Sequence, residues 1–153
     1  MHDTIQQLEL FKKQCHERNL VVTPQRVKVY EYVTSVTTHP SADQVYEVVR
    51  EAFPTISRMS VYRILDAFAR HDLIKRLVHP GTAVRYDGNT ERHFHLYCTQ
   101  CDTVFDLFQL ELFPEFSREA ILKAAGDFKV FDYSVVFTGI CARCQATDQN
   151  KKE

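Results

Sequence analysis

His93-Phe94-His95-Leu96-Tyr97-Cys98-Thr99-Gln100-Cys101, with its echo Cys141-Ala142-Arg143-Cys144, decides how the chain is read. Two Cys-x-x-Cys pairs supply four thiolates at a spacing that suits a tetrahedral zinc ion. The pairs stand far apart in sequence, so a shared ion would staple distant parts of a folded domain rather than organise a compact finger. Four sulfurs leave no coordination position for a substrate, and the expected Zn2+ is therefore structural. The competing reading, a thiol-disulfide pair of the thioredoxin kind, needs a lone motif opening a helix within a βαβ unit, and no such unit is visible. His93 and His95 alternate along an expected strand, so both imidazoles project to one face and can reach one ion. Asp87 falls shortly before them at the end of another expected strand, and Asp106 lies on the strand that follows.

Working outward, 153 residues with 44% hydrophobic content make one ordinary domain or two small ones with a core. A net charge of −1 excludes a chain held to polyanions by bulk charge. The first half carries a slight cationic excess and the second an acidic one, which places any nucleic-acid role in the first. Asp3, Gln6, Gln7 and Glu9 interrupt any apolar leader, and no run is long enough to span a membrane. The expectation is a cytoplasmic protein with no membrane partner, whose paired cysteines hold metal. The fifth cysteine, Cys15, ends the Ile5, Leu8, Phe11 stripe of the first helix and reads as a buried small hydrophobe.

The first half reads as four helices and a hairpin. Residues 3–18 form the first helix, and Thr23-Pro24 caps and opens the second, whose buried side carries Val27, Tyr30 and Val33. Ser41-Ala42-Asp43-Gln44 is a capping box ahead of Val45, Val48, Val49 and Phe53. Ser57 or Thr55 opens a fourth helix, with Val61, Ile64, Leu65 and Phe68 on one side and Arg58, Tyr62 and Arg63 on the other. Strands at 74–78 and 83–86 flank a turn at His79-Pro80-Gly81-Thr82. The whole is a winged helix-turn-helix, a unit that sets one helix in the major groove. Arg58, Ser60, Tyr62 and Arg63 are its candidate DNA contacts, although an ordinary solvated helix face would carry the same residue types. His2, His16, His71 and His79 are expected at the surface.

The second half is expected to hold strands at 93–97 and 103–107, a helix at 111–125 ended by Gly126, further strands within 128–137, and a polar, disordered tail at 147–153. The fold class is α+β. Residues 1–86 form a winged-helix DNA-binding domain, a hinge falls at about 85–92, and 93–146 form a metal-binding domain.

Thr23-Pro24-Gln25-Arg26, His39-Pro40-Ser41-Ala42, Ser60-Val61-Tyr62-Arg63, Arg85-Tyr86-Asp87, His93-Phe94-His95 and both Cys pairs occur in an order that resembles the ferric uptake regulator family, over about Leu20 to Cys144. The resemblance implies a dimeric, metal-sensing repressor with an N-terminal winged helix, a C-terminal α/β dimerisation domain and a palindromic double-stranded DNA operator. It implies structural zinc on Cys98, Cys101, Cys141 and Cys144, and a regulatory Fe2+ or Mn2+ on His39, Asp87, His93, His95 and Asp106. Asp106 stands where iron-uptake members usually have Glu, which points to the peroxide-responsive branch, in which His39 or His93 would gain an oxygen. Arg92 replaces a His common in relatives, so an extra sensory metal site is not expected. Val21 stands where relatives carry a cation that reaches the minor groove.

Three imidazoles and two carboxylates suit Fe(II), Mn(II) or Zn(II). Five ligands on an ion that accepts six would leave one position for peroxide, the only small molecule expected as a signal. Metal would then clamp the hinge of a homodimer and set the distance between its recognition helices. The nearest rival is an iron- or manganese-responsive repressor of metal-uptake genes without peroxide sensing. A zinc hydrolase is the rival from another class, but no nucleophile motif or phosphate loop accompanies the cluster, and no enzyme activity is expected.

Overall fold

The structure, a computed structural model, describes residues 2–79, 82–109, 111, 113–131 and 133–149. It divides into two compact units, with the boundary between Thr90 and Glu91.

The first unit is built from four helices whose ends are set by local chemistry. α1 (His2–Glu17) stops where Asn19 takes a left-handed φ of 55°, so that Leu20 N–H reaches Cys15 O at 2.8 Å and Asn19 N–H reaches His16 O at 3.1 Å. This doubly bonded end satisfies carbonyls that the helix would leave bare. α2 (Pro24–Ser35) starts with Thr23 as N-cap and Pro24 in its first turn. α3 (Ala42–Ala52) carries the full capping box, with Ser41 Oγ accepting from Gln44 N–H and Gln44 Oε1 accepting from Ser41 N–H. α4 (Arg58–Arg70) takes Ser57 as its cap, and closes on Asp72 (φ 53°) in the same manner as α1.

Phe11, Cys15, Val29, Val33, Val45, Val49, Val61, Leu65 and Phe68 are wholly buried in one core. Each large side chain there is favoured by about 2 to 3 kcal/mol relative to exposure. Phe11 stacks on Tyr30 at 4.2 Å and meets Phe68 edge-on at 5.6 Å. Cys15 is part of this core, as its place on the apolar stripe predicts, and burial pushes its thiol pKa up.

The wing is the antiparallel pair β1 (Lys75–Leu77) and β2 (Arg85–Asp87), both shorter than the sequence suggests, with Lys75 opposite Asp87 and Leu77 opposite Arg85. Pro80 and Gly81 of the expected turn lie outside the described residues. Thr82 N–H closes back on His79 O at 3.2 Å. Gly88, just after β2, has a packing role: a Cβ built there would sit 2.6 Å from Thr34 Cα and 2.7 Å from Val33 O. Both are backbone atoms of α2 or its end and cannot swing aside. Gly88→Ala is therefore expected to destabilise the first unit by about 1 to 3 kcal/mol, measured by chemical unfolding.

In the second unit β3 (Phe94–Cys98) lies between β4 (Val104–Leu107) and β5 (Val136–Gly139), antiparallel to the first and parallel to the second. Phe94 packs against Phe113, Phe116 and Phe137 at ring separations of 5.9, 5.8 and 6.1 Å. Three expectations are corrected here. The helix expected at 111–125 is only α5 (Arg118–Ala125), preceded by a 3-10 turn at Pro114–Phe116. Ser117 is extended and accepts from Ala120 N–H, so the cap restarts the chain midway through the apolar pattern. Among the described residues, the strands expected across 128–137 reduce to β5, which begins only at Val136 and takes its partners from β3. The tail expected from Thr147 is helical through Gln149 as the end of α6 (Ala142–Gln149), while 150–153 lie outside the described residues. Gly126 does end α5, at φ 59°. Among the described residues no helix is long and apolar enough to cross a membrane.

Candidate functional site

The four expected zinc ligands meet in the second unit. Cys98 ends β3, Cys101 is the third residue of the turn that follows, and Cys141 and Cys144 sit at the entry and first turn of α6. Their sulfurs all lie within 4.8 Å of one another. Cys98 Sγ is 3.9 Å from Cys144 Sγ, and Cys101 Sγ is 3.8 Å from Cys141 Sγ. A tetrahedron with zinc–sulfur bonds of about 2.3 Å has edges of about 3.8 Å, whereas a disulfide needs about 2.05 Å. The spacing thus fits zinc and excludes bonded pairs.

The turn between Cys98 and Cys101 is closed by Cys98 N–H to Thr103 O (2.9 Å) and Asp102 N–H to Cys98 O (3.0 Å), with Asp102 left-handed at φ 56°. Cys141 N–H donates to Cys98 Sγ at 3.3 Å. The Thr103 hydroxyl and amide hold the Cys101 thiol down to about 5, whereas burial pushes the Cys144 thiol up to about 12. Four sulfurs this close could all be thiolates only with a cation among them, which is what a bound metal ion would supply.

The regulatory candidates fall in two groups. In the first unit His39 and Asp87 are buried, 2% and 5% exposed, with His39 Nε2 3.8 Å from Asp87 Oδ1. The segment after His39 is knitted to β2: Tyr86 N–H donates to Pro40 O at 3.0 Å, and Arg85 Nη1 donates to His39 O at 3.1 Å. His39 itself is left-handed, φ 50°, a conformation that costs a branched or ringed residue on the order of 1 kcal/mol or more and tends to occur where function imposes it. Asn89 N–H donates to Asp87 Oδ1 at 2.8 Å and orients that carboxylate.

In the second unit His95 stands directly opposite Asp106 across the β3–β4 pair. Asp106 Oδ1 lies 3.2 Å from His93 Nε2 and 3.7 Å from His95 Nε2. His93 Nδ1 is 2.9 Å from Glu91 O, a carbonyl that can only accept. Nδ1 therefore donates to it, and Nε2 is the nitrogen turned toward the Asp106 carboxylate. Carbonyl anchoring of the remote nitrogen is how a ligand imidazole is oriented. Both groups are N/O sets that fit Fe(II), Mn(II) or Zn(II).

Sequence reasoning missed the two anchors, Glu91 O and Asn89 N–H. The Asp87-Gly88-Asn89 run does carry a turn signal that would have found the second.

On α4, Tyr62 is 43% exposed and Arg63 and Ser60 are exposed on the side away from the core. Ser60 Oγ lies 2.9 Å from the capping Ser57 Oγ. Arg58, the fourth candidate, is exposed but paired with Asp43 and Glu47 of α3. Val21 is 70% exposed, an apolar side chain on the surface of the same unit.

Comparison with known proteins bears on the whole assembly. The model of the "Ferric uptake regulator family" matches residues 17–137. The peroxide-responsive repressor PerR of Staphylococcus aureus is 35% identical over 124 residues, covering 81% of this chain and 82% of that protein. Among solved structures, the Campylobacter jejuni peroxide stress regulator superposes with a TM-score of 0.68 at 26% identity, over 90% of this chain and 98% of that one. The Helicobacter pylori ferric uptake regulator, described as having three functional metal binding sites, superposes with a TM-score of 0.73 at 23% identity over 93% of each chain. With a family model spanning most of its length and a relative at that identity over four-fifths of it, the chain belongs to the ferric uptake regulator family.

Proposed function

We propose that this protein is a cytoplasmic, homodimeric repressor that binds a palindromic operator while metallated and releases it when hydrogen peroxide oxidises a ligand histidine. Its coarser part follows from family membership: the members are dimeric, metal-responsive, DNA-binding regulators with an N-terminal winged helix and a C-terminal dimerisation domain, and are not enzymes. The hydrolase reading is thereby set aside. The similarity to peroxide-responsive repressors supports the peroxide signal, and with it control of peroxide-defence and metal-homeostasis genes.

The observation that carries the regulatory reading is the His93–Asp106–His95 arrangement, where one carboxylate oxygen faces two imidazole nitrogens at 3.2 and 3.7 Å. In this reading His39 and Asp87 complete the coordination begun by His93, His95 and Asp106, and the tie restrains the chain between Asp87 and His93. Cys98, Cys101, Cys141 and Cys144 hold zinc, and Arg58, Ser60, Tyr62 and Arg63 face DNA.

Bound Fe(II) would supply the electron that splits hydrogen peroxide. The side chains of His39 and His93 are only 1% and 2% exposed, so oxidant in bulk solution has little access to them, and a buried ring that gains oxygen records an event inside the site. The net change transfers one oxygen atom to a ring carbon in place of hydrogen and leaves water. Oxidised imidazole is a poorer ligand, and its loss frees the restraint. The test is to treat Fe(II)-loaded and Mn(II)-loaded protein with peroxide and to weigh its tryptic peptides. A gain of one oxygen on the peptide holding His39 or His93, in the Fe(II) sample alone, is the expected result. If neither gains oxygen while metal still drives operator binding, the protein is an iron- or manganese-responsive repressor without peroxide sensing.

A further inference from the structure

Arg58 opens α4, the helix read above as facing DNA, and its side chain is 53% exposed. Its guanidinium is nevertheless taken up within the chain. It hydrogen-bonds Asp43, donates from Nη2 to Glu47 Oε1 at 3.1 Å, and lies 4.5 Å above the Tyr46 ring. Asp43, Tyr46 and Glu47 fall at i, i+3 and i+4 on α3, so one helix face presents two carboxylates flanking an aromatic plane, a shape matched to a flat cation with forked donors. Arg50 binds the other oxygen of Glu47 at 2.7 Å, which keeps that carboxylate in place.

Pairs this exposed contribute about 1 kcal/mol or less to folding, so stability is a weak reason for the arrangement. Its larger consequence is electrostatic. The N-terminal turn of a recognition helix supplies base contacts. An uncommitted cation there would bind any phosphate and add sequence-independent affinity. A cation already satisfied by two carboxylates leaves them only for an acceptor that matches its fork, such as guanine O6 and N7.

We propose that Asp43 and Glu47 are specificity-determining residues, which withhold Arg58 from non-specific DNA and yield it only to a matching operator base. The proposal rests on α4 being the DNA-facing helix. Its test uses the full-length Mn(II)-loaded protein, an operator selected from random-sequence duplexes, and an unselected duplex of equal length, each titrated across a salt series. The double variant Asp43→Asn, Glu47→Gln should bind unselected DNA about five-fold tighter per protomer at physiological salt, with a salt slope steeper by about 0.9 per protomer. The operator should gain less, so that the discrimination ratio falls. Adding Arg58→Ala should erase the gain. A gain that survives Arg58→Ala would reduce the effect to bulk charge and overturn the proposal, as would unchanged discrimination in the double variant. Failure of the DNA-facing reading looks different, since the unsubstituted protein would then select no operator. All three side chains are about half exposed, so unchanged unfolding midpoints are expected and should be checked alongside.

Discussion

Cys98→Ser is expected to unfold the second unit while leaving the helical unit folded. Among the described residues, few large side chains are buried beyond Thr90: Phe94, Tyr97 and Val104 lie with Cys98 and Cys144, against the thirteen-residue core cluster before it. So small an apolar core leaves the cysteines as the main staple. Sharing one zinc ion, they would tie the end of β3 to the chain leaving β5, where Thr99 N–H and Gly139 O meet at 2.9 Å, and so close the whole loop that contains β4 and α5. Structural zinc sites of this kind contribute apparent free energies of about 10 to 16 kcal/mol, more than a domain of this size has to spare. The variant should lose its zinc, lose amide protection along β3 and β5, and elute as a monomer, while the transition of α1–α4 persists in thermal unfolding. Retained protection at β3 and β5 without zinc would show that the cysteines are not structural ligands.

The second large effect is expected at Asp106. Because a single carboxylate oxygen serves both His93 and His95, Asp106→Ala removes the group that makes the two imidazoles one site. Mn(II) affinity should fall by about a hundred-fold or more, since loss even of groups that merely orient a ligand costs 10- to 100-fold. Operator affinity at fixed Mn(II) should fall with it, and zinc content should stay the same. Asp106→Asn, which preserves shape but removes charge, should lie between the two. Calorimetric titration with Mn(II) measures the first quantity and gel retardation the second. An Asp106→Ala protein that binds Mn(II) normally would remove Asp106 from the regulatory set.

The two candidate metal sites were unequally legible. Cys98 and Cys101, like Cys141 and Cys144, are close neighbours in the chain, so each pair declares itself through local spacing, and an ion's preference for four sulfurs joins them. His39, Asp87 and Asp106 carry no such local signal. Asp87 and Asp106 stood out only by lying near the His93–His95 strand, and His39 entered through resemblance to a family, because a lone His before Pro40 or a lone Asp on a strand is common in proteins that bind nothing. The misplaced start of α5 is instructive in the same way. Leu112, Phe113 and Phe116 resemble a helical stripe, but Pro114 and the extended Ser117 break the ladder, and Phe113 and Phe116 are used instead against Phe94 and Phe137.

From the chain alone came whatever depends on neighbours a few residues apart: the caps at Thr23 and Ser41, Ser57 as one of two candidates, most of the apolar faces of α2 to α4, and the paired cysteines; Val29, wholly buried on α2, was missed. Tertiary structure decided the rest. The β3–β4 register sets His95 opposite Asp106, and a slip of one residue would turn that carboxylate to the other face. Pairing of residues 39–41 with β2 holds His39 left-handed beside Asp87. Packing of α3 against α4 delivers Asp43 and Glu47 to Arg58. The physical reason is range, because caps and helical stripes are made by contacts within a turn or two. Register, left-handed strain and ion pairs between helices depend on backbone placed by distant residues.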